Sequence, residues 1–330
     1  MKNFVDLPIT EMVNAIRAGD RVMLSRAITL TESTHPEHRA RALELLAACY
    51  PFSGNSMRIG ITGAPGAGKS TFIEAFGMLV LQHGRKLGVL AVDPSSRVSK
   101  GSILGDKTRM QQLTRAHDVF IRPTASGTQM GGVAAATREC IILLEAAGYD
   151  TILIETVGVG QSETAVFDIT DMFLLLLIPG AGDELQGIKR GIMEMADAIL
   201  INKADGDLID RARIAKAEVE RAIHLFQPKA SGYATWVQLV SSAEGSGLAD
   251  VWENTKAYFE HMQQHGHLTA RRQAQREKWF DEALHDGLIR FLQSEPRYGA
   301  ILAQSAQEVA SGELLPPLAV AKLMAKLLPS

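Results

Sequence analysis

The sequence predicts an α/β fold: a doubly wound, mostly parallel sheet with helices on both faces, extended by helices at either end. Three observations predict it. Between Met57 and Val240, short apolar runs alternate with helix-length segments, which is the signature of strand–helix–strand units. The first apolar run leads into a glycine-rich turn, Gly63–Ser70, that opens a helical stretch. The flanking regions carry helical rather than strand periodicity.

Taken in order, residues 1–56 read as helical. Ile9, Met12, Val13 and Ile16 keep helical spacing, as do Ala42, Leu45, Leu46 and Cys49 within Arg39–Tyr50. The run Pro51-Phe52-Ser53-Gly54-Asn55 breaks the pattern. Strands are expected at Arg58–Thr62, Leu87–Val92, Val119–Arg122, Thr151–Glu155, Asp171–Ile178, Ala198–Ile201 and Trp236–Val240. Helices are expected between them at Ser70–His83, Gly132–Ala147, Glu184–Met195 and Leu208–Phe226. Residues 248–293 return to helix, with Trp252, Tyr258, Phe259, Trp279, Phe280, Leu284 and Leu288 on apolar faces. A last helix starts at Pro316-Pro317, where proline suits the first turn, and carries Leu318, Val320, Leu323, Met324, Leu327 and Leu328. The chain thus divides into a helical N-terminal extension (1–56), a sheet domain (57–247) and a helical C-terminal region (248–330).

Composition narrows the class. Among 330 residues, 46% are hydrophobic and 22% charged, which suits a core-bearing globular protein. A formal net charge of −3 gives no electrostatic case for binding nucleic acid or an anionic membrane. Cys49 and Cys140 stand far apart and outside any C-x-x-C arrangement, so neither a disulfide framework nor a cysteine metal site is expected. Asp6 and Glu11 interrupt any signal-like apolar stretch, and the longest apolar run, Met172–Ile178, is too short to span a bilayer. A cytoplasmic location is the expectation.

Gly63-Ala64-Pro65-Gly66-Ala67-Gly68-Lys69-Ser70-Thr71 contains G-x-x-x-x-G-K-[ST] with every fixed position filled. It follows a predicted strand and opens a predicted helix, which is the setting of a nucleotide-binding P-loop. Glycines let backbone N–H groups turn inward around phosphates, and the helix start adds its positive dipole end. Lys69 is expected to reach the β- and γ-phosphates, and the Ser70 hydroxyl to ligate Mg²⁺.

Asn202-Lys203-Ala204-Asp205 follows the run Ala198–Ile201. An aspartate placed there can accept hydrogen bonds from guanine N1–H and N2–H₂, a donor pair that adenine lacks. Asn202 is expected to brace neighbouring loops, and the Lys203 stem to cover the base. Ser241-Ser242-Ala243, after the next strand, reads either as a loop giving a backbone N–H to guanine O6 or as a plain turn.

Two carboxylates close predicted strands: Asp93 in Val92-Asp93-Pro94 and Glu155 in Glu155-Thr156-Val157-Gly158. Strand-end carboxylates suit Mg²⁺ coordination or, on the bland reading, are solvated loop anions. Gly158 is where a backbone N–H would meet the γ-phosphate. Asp106 lies in the loop region Ser95–Arg109, which reads as a mobile switch; the residue has either a functional role there or that of an ordinary helix cap. Ras-like enzymes carry a water-orienting glutamine directly after this glycine. Here the position is Val159, with Gln161 and Glu163 following, so slow intrinsic hydrolysis is expected. Pro179–Lys189 is rich in glycine and follows the most apolar strand, which marks it as a candidate switch or, on the bland reading, a flexible connection.

With the P-loop, Val92-Asp93-Pro94-Ser95-Ser96, Glu155-Thr156-Val157-Gly158-Val159-Gly160-Gln161 and Asn202-Lys203-Ala204-Asp205 in view, essentially the whole chain resembles the ArgK/MeaB family. These are P-loop GTPases of the SIMIBI class that serve as chaperones for methylmalonyl-CoA mutase. The resemblance implies hydrolysis of GTP to GDP and phosphate, with Lys69, Ser70, Asp93, Asp106 and Glu155 as Mg²⁺ and phosphate residues. It implies guanine recognition by Asn202, Lys203 and Asp205, and a partner-sensing switch at Gly180–Lys189. It further implies a homodimer formed through the C-terminal arm and an adenosylcobalamin-dependent mutase as partner, whose cofactor loading the GTPase gates. The family's older label as a transport-system kinase finds no support in the chain, which lacks H-R-D and D-F-G. A metal-insertion GTPase is the other alternative. Its only candidate ligands are His261, His265 and His267, which otherwise read as a solvated helix end.

Overall fold

The computed structural model describes residues 7–93, 110–125, 132–156, 162–180 and 190–327. Its core is a seven-stranded, wholly parallel sheet: β1 (Met57–Gly63), β2 (Leu87–Asp93), β3 (Val119–Ala125), β4 (Thr151–Thr156), β5 (Met172–Leu177), β6 (Ala198–Ile201) and β7 (Trp236–Leu239), in the order β3-β2-β4-β1-β5-β6-β7. Every residue of β4, β5 and β6 is buried. That is why these strands read as unbroken apolar runs rather than alternating ones. β1 lies centrally, Ile59 opposite Leu153 of β4 on one side and Met172 of β5 on the other.

Three helices precede the sheet: α1 (Ile9–Arg17), α2 (Arg21–Thr31) and α3 (Pro36–Cys49). α1 buries Met12, Val13 and Ile16, the positions its periodicity marks. Asp20 caps α2, its carboxylate accepting from the Val22 and Met23 amides, both at 2.9 Å. Between strands come α4 (Lys69–Gln82), α5 (Gln111–Arg115), α6 (Gly132–Ala146), α7 (Ser162–Phe167), α8 (Arg190–Met195) and α9 (Ile209–Ile223). The N-terminal helices lie against α6, where Arg39 donates to both oxygens of Glu139 at 2.8 and 2.6 Å.

After the sheet come α10 (Leu248–Gln264), α11 (His267–Ser294), α12 (Pro296–Ala310) and α13 (Pro316–Leu327). The stretch expected as helix over 248–293 is interrupted at His265-Gly266, and α12 was not separately marked by its periodicity. The chain forms two compact units, one ending at Gln275 and the other running from Arg276. In the first, Val251, Trp252, Tyr258, Phe259 and Met262 of α10 join the core cluster with Ile59, Phe72, Phe76 and Leu174. In the second, α12 and α13 pack together and bury Ala319, while Leu315, Leu318, Val320 and Met324 are exposed. Phe280, Leu284, Leu288 and Phe291 of α11 are exposed as well. No helix of the described residues is long and apolar enough to cross a membrane.

The amino end of the sheet is held by buried ions. Asp171, fully buried just before β5, accepts from Arg272 at 2.9 and 2.6 Å and from the Arg58 amide at 3.1 Å. Asp197, just before β6, accepts from Lys229 at 2.6 Å and from the Phe173 amide at 2.9 Å. Among the described residues, Gly63–Ser70, Glu155, Asn202–Asp205 and Ser241–Ala243 follow or close strands at the opposite, carboxyl end of the sheet.

Candidate nucleotide site

β1 runs into the P-loop, and two of its glycines are required by close approach. At Gly63, φ is +153° and a Cβ would lie 2.5 Å from the Leu176 carbonyl oxygen of β5. At Gly68, φ is +86° and a Cβ would lie 2.6 Å from Asn202 Nδ2. Both exclude any side chain, so the motif's fixed glycines are needed for packing as well as for turning backbone N–H groups inward. Pro65 and Gly66 are exposed at the loop's tip, Ala67 is buried, and Thr71 is exposed on the first turn of α4. The Ala67 amide donates to the Ala64 carbonyl at 3.1 Å, closing the loop.

Lys69 is only 7% exposed, and its ammonium donates to the Gly63 carbonyl at 2.8 Å and the Ala64 carbonyl at 3.2 Å. Burial lowers its pKa, while the nearby carboxylates of Glu155 and Glu163 act to raise it. The Ser70 hydroxyl donates to Glu155 Oε1 at 3.3 Å. Glu155 itself is buried at the end of β4, next to Thr156, whose hydroxyl donates to Thr62 of β1 at 2.9 Å. That threonine pair ties the two strands that carry the P-loop and Glu155, a link no motif announces.

The loop after β6 reaches the P-loop directly. Asn202, 1% exposed, donates from Nδ2 to the Ala67 carbonyl at 2.8 Å. Its Oδ1 accepts from the Ser242 amide at 3.2 Å and the Ser242 hydroxyl at 2.8 Å. One amide side chain therefore joins three loops. Lys203 has φ +58°, the one non-glycine residue with positive φ among the described residues. Such conformations are costly for a long side chain and gather at ligand sites. The turn exposes Lys203 and leaves Asp205 half-buried, with the Ser241 hydroxyl donating to Asp205 Oδ2. Ser241 also accepts from the Glu244 amide at 3.1 Å, so Ser241-Ser242-Ala243 is a bonded part of this cluster, with Ala243 exposed.

Asp93 is the last residue of β2, which puts its backbone at the same end of the sheet, two strands from β1. Asp106, Gly158, Val159 and Gln161 lie outside the described residues, as do 181–189 of the candidate switch. Glu163, in the first turn of α7, is 5% exposed. The three histidines cluster at the end of α10. His261 and His265 have ring centroids 4.2 Å apart, and His267 is 6.3 Å from each. They do not converge on a point: among the described residues no group of three His, Cys, Asp or Glu is placed to hold a metal. Burial pushes the Cys49 thiol up to about 11.

Comparison with known proteins places this geometry. The profile of the family described as Methylmalonyl Co-A mutase-associated GTPase MeaB matches residues 24–297. A probable GTPase of Mycobacterium tuberculosis is 45% identical over 319 residues, covering 97% of this chain and 95% of its own. GTPase ArgK of Escherichia coli is 44% identical over 308 residues, 93% of each chain. The mitochondrial methylmalonic aciduria type A homolog of Mus musculus is 43% identical over 325 residues, 96% of this chain and 77% of its own. A solved structure, that of LAO/AO transport system kinase, superposes with a TM-score of 0.75 at 36% identity over 97% of both chains. With its phosphate loop, its Asn202 tie and its strand order in place, the chain belongs to the family of the methylmalonyl Co-A mutase-associated GTPase MeaB.

Proposed function

We propose that this GTPase binds GTP with Mg²⁺, hydrolyses it to GDP and phosphate, and acts as a chaperone of an adenosylcobalamin-dependent methylmalonyl-CoA mutase. The observation that carries the nucleotide reading is the Asn202 side chain, bonded at once to the P-loop at Ala67 and to Ser242. That tie supports reading the loops after β1, β6 and β7 as one site for phosphate and base. In this reading Lys69 leaves the Gly63 and Ala64 carbonyls and donates to phosphate oxygens. Asp205, oriented by Ser241, accepts from guanine N1–H and N2–H₂, while the exposed Lys203 stem lies over the base. The loop from Gly63 to Thr71, each of whose residues except Pro65 carries a backbone N–H, wraps the phosphates, and Gly158 meets the γ-phosphate.

Ser70 and Glu155 are oxygen donors 3.3 Å apart, which fits a hard cation such as Mg²⁺. Asp93 and Asp106 are proposed to complete its surroundings. The ion neutralises charge developing on the phosphate oxygens. The mutase partner rests on the family's description and on relatives bearing the methylmalonic aciduria name. Gly180–Lys189 is proposed as the segment that senses the partner, and a homodimer as the working form.

The test is turnover with and without partner. The purified protein alone is expected to hydrolyse GTP more slowly than about 1 per second, since Val159 stands where a water-orienting glutamine would be. Adding the mutase should raise the rate and release free phosphate. Fast turnover by the protein alone would refute partner activation, and transfer of labelled phosphate to an acceptor protein would replace hydrolysis with a kinase reading.

A further inference from the structure

β1 and β4 both end at the site, β1 in Gly63 of the P-loop and β4 in Thr156, next to Glu155. Their paired register runs from Met57 opposite Thr151 to Ile61 opposite Glu155. One residue further on, the two strands are joined by side chains instead: the Thr156 hydroxyl donates to Thr62 Oγ1 at 2.9 Å. Both threonines are buried, at 0% and 1% exposure.

Successive side chains of a strand point to opposite faces of the sheet. On one face, Ile59, Ile61 and Leu153 pack with Phe72 and Phe76 of α4. Glu155, in register with Ile61, meets the Ser70 hydroxyl of the same helix at 3.3 Å. The other face turns to α7, since a Cβ at Gly60 would lie 2.9 Å from Val166 Cγ1. Thr62 and Thr156 fall on that second face. The end of the strand pair is therefore pinned from both sides, by Ser70 and Glu155 towards α4 and by the two hydroxyls towards α7. Filling space does not call for those hydroxyls. Valine has the same branched shape and suits a buried strand as well, whereas a buried hydroxyl destabilises the fold unless it is hydrogen-bonded. The pair adds a constraint rather than packing. It fixes β1 against β4 at the residue before the P-loop and the residue after Glu155.

We propose that Thr62 and Thr156 are a positioning pair for GTP hydrolysis, whose hydrogen bond holds Glu155 at the spacing from Ser70 that a divalent cation requires. This rests on the reading of Ser70 and Glu155 as oxygen donors to Mg²⁺ given above. Neither threonine touches the ion or the nucleotide, and both act through Glu155. Groups that orient the ligands of a metal commonly change its affinity or the activity 10- to 100-fold, on the order of magnitude, when they are removed.

The experiment compares Thr156→Ser with the double variant Thr62→Val, Thr156→Val, each in the full-length protein. Binding of a fluorescent GDP analogue is measured in EDTA and over a Mg²⁺ titration, beside kcat for GTP and unfolding in urea. The double variant removes both polar partners together and leaves no orphaned hydroxyl, so its urea midpoint should match the wild type. Its affinity in EDTA should stay within about twofold of wild type, while the Mg²⁺ concentration that half-maximally tightens binding rises about tenfold and kcat falls about tenfold. Thr156→Ser keeps the donor and should recover most of both. A merely structural pair would lower the urea midpoint and weaken binding in EDTA without moving the Mg²⁺ response. That pattern overturns the proposal. So does a double variant with the wild-type Mg²⁺ response, or a Thr156→Ser protein as impaired as the double variant. A wild-type protein whose affinity for the analogue does not change with Mg²⁺ would instead refute the metal reading, and the proposal with it.

Discussion

Replacing Arg272 by alanine tests whether the buried ions at the amino end of the sheet hold the first compact unit together. Asp171 has no solvent exposure, and Arg272, 12% exposed, makes two bonds to its carboxylate at 2.9 and 2.6 Å. The same guanidinium donates to the carbonyls of Gly54 and Ser56. Arg272→Ala leaves the Asp171 carboxylate accepting from the Arg58 amide at 3.1 Å but without its counter-charge, and strips those two carbonyls of a donor. Removing one partner from a buried pair costs about 3–5 kcal/mol, because a charge is left uncompensated. The exposed pair Arg213–Asp210, at 67% and 82%, provides the contrast. There Arg213→Ala should change stability by less than about 0.5 kcal/mol. Urea unfolding followed by tryptophan fluorescence, with Trp252 in the core, reports both. The double variant Arg272→Leu with Asp171→Asn should recover part of the loss, since it removes both charges together. A loss below about 1 kcal/mol for Arg272→Ala would refute the reasoning.

Asp205→Asn should lower GTP affinity and improve binding of xanthosine triphosphate, because the amide offers one acceptor and one donor where guanine requires two acceptors. A competition assay checks it, and unchanged base preference would remove Asp205 from the base site. Deleting residues 312–330 removes the exposed Leu315 and α13 with its exposed Leu318, Val320 and Met324. Light scattering should then show a dimer becoming a monomer that still binds GTP. A truncated chain that stays dimeric would assign the contact elsewhere.

The strands were legible for a physical reason. A parallel strand covered on both faces has no exposed positions to fill, so Met172–Leu177 and Ala198–Ile201 appear as plain apolar runs. α4 and α9 were legible because helices of 14 and 15 residues give several turns of periodicity. α5 and α7, of five and six residues, give scarcely more than one turn. No pattern can establish itself in that length, and tertiary packing rather than propensity holds them. The break at His265-Gly266 was hidden by apolar positions continuing on both sides of it.

The site divides in the same way. G-x-x-x-x-G-K-[ST] could be read because its parts are adjacent in the chain, each glycine meeting a local backbone demand. The Asn202–Ala67 tie joins residues 135 apart, and the Thr62–Thr156 pair joins residues 94 apart. Only strand order brings them together, and strand order is not written in any local spacing. The amino end of the sheet carries this furthest. Asp171 and Asp197 each sit immediately before an apolar run, where an aspartate ordinarily marks a solvated entry to a strand. Both are buried, because Arg272 and Arg271 approach from α11, 101 and 74 residues further along the chain. On α11 those arginines read as charges of a solvated helix face. What distinguishes a buried ion pair from two surface charges is the desolvation that each partner imposes on the other. That property belongs to the pair, and it comes into being only when the sheet and the helix have met.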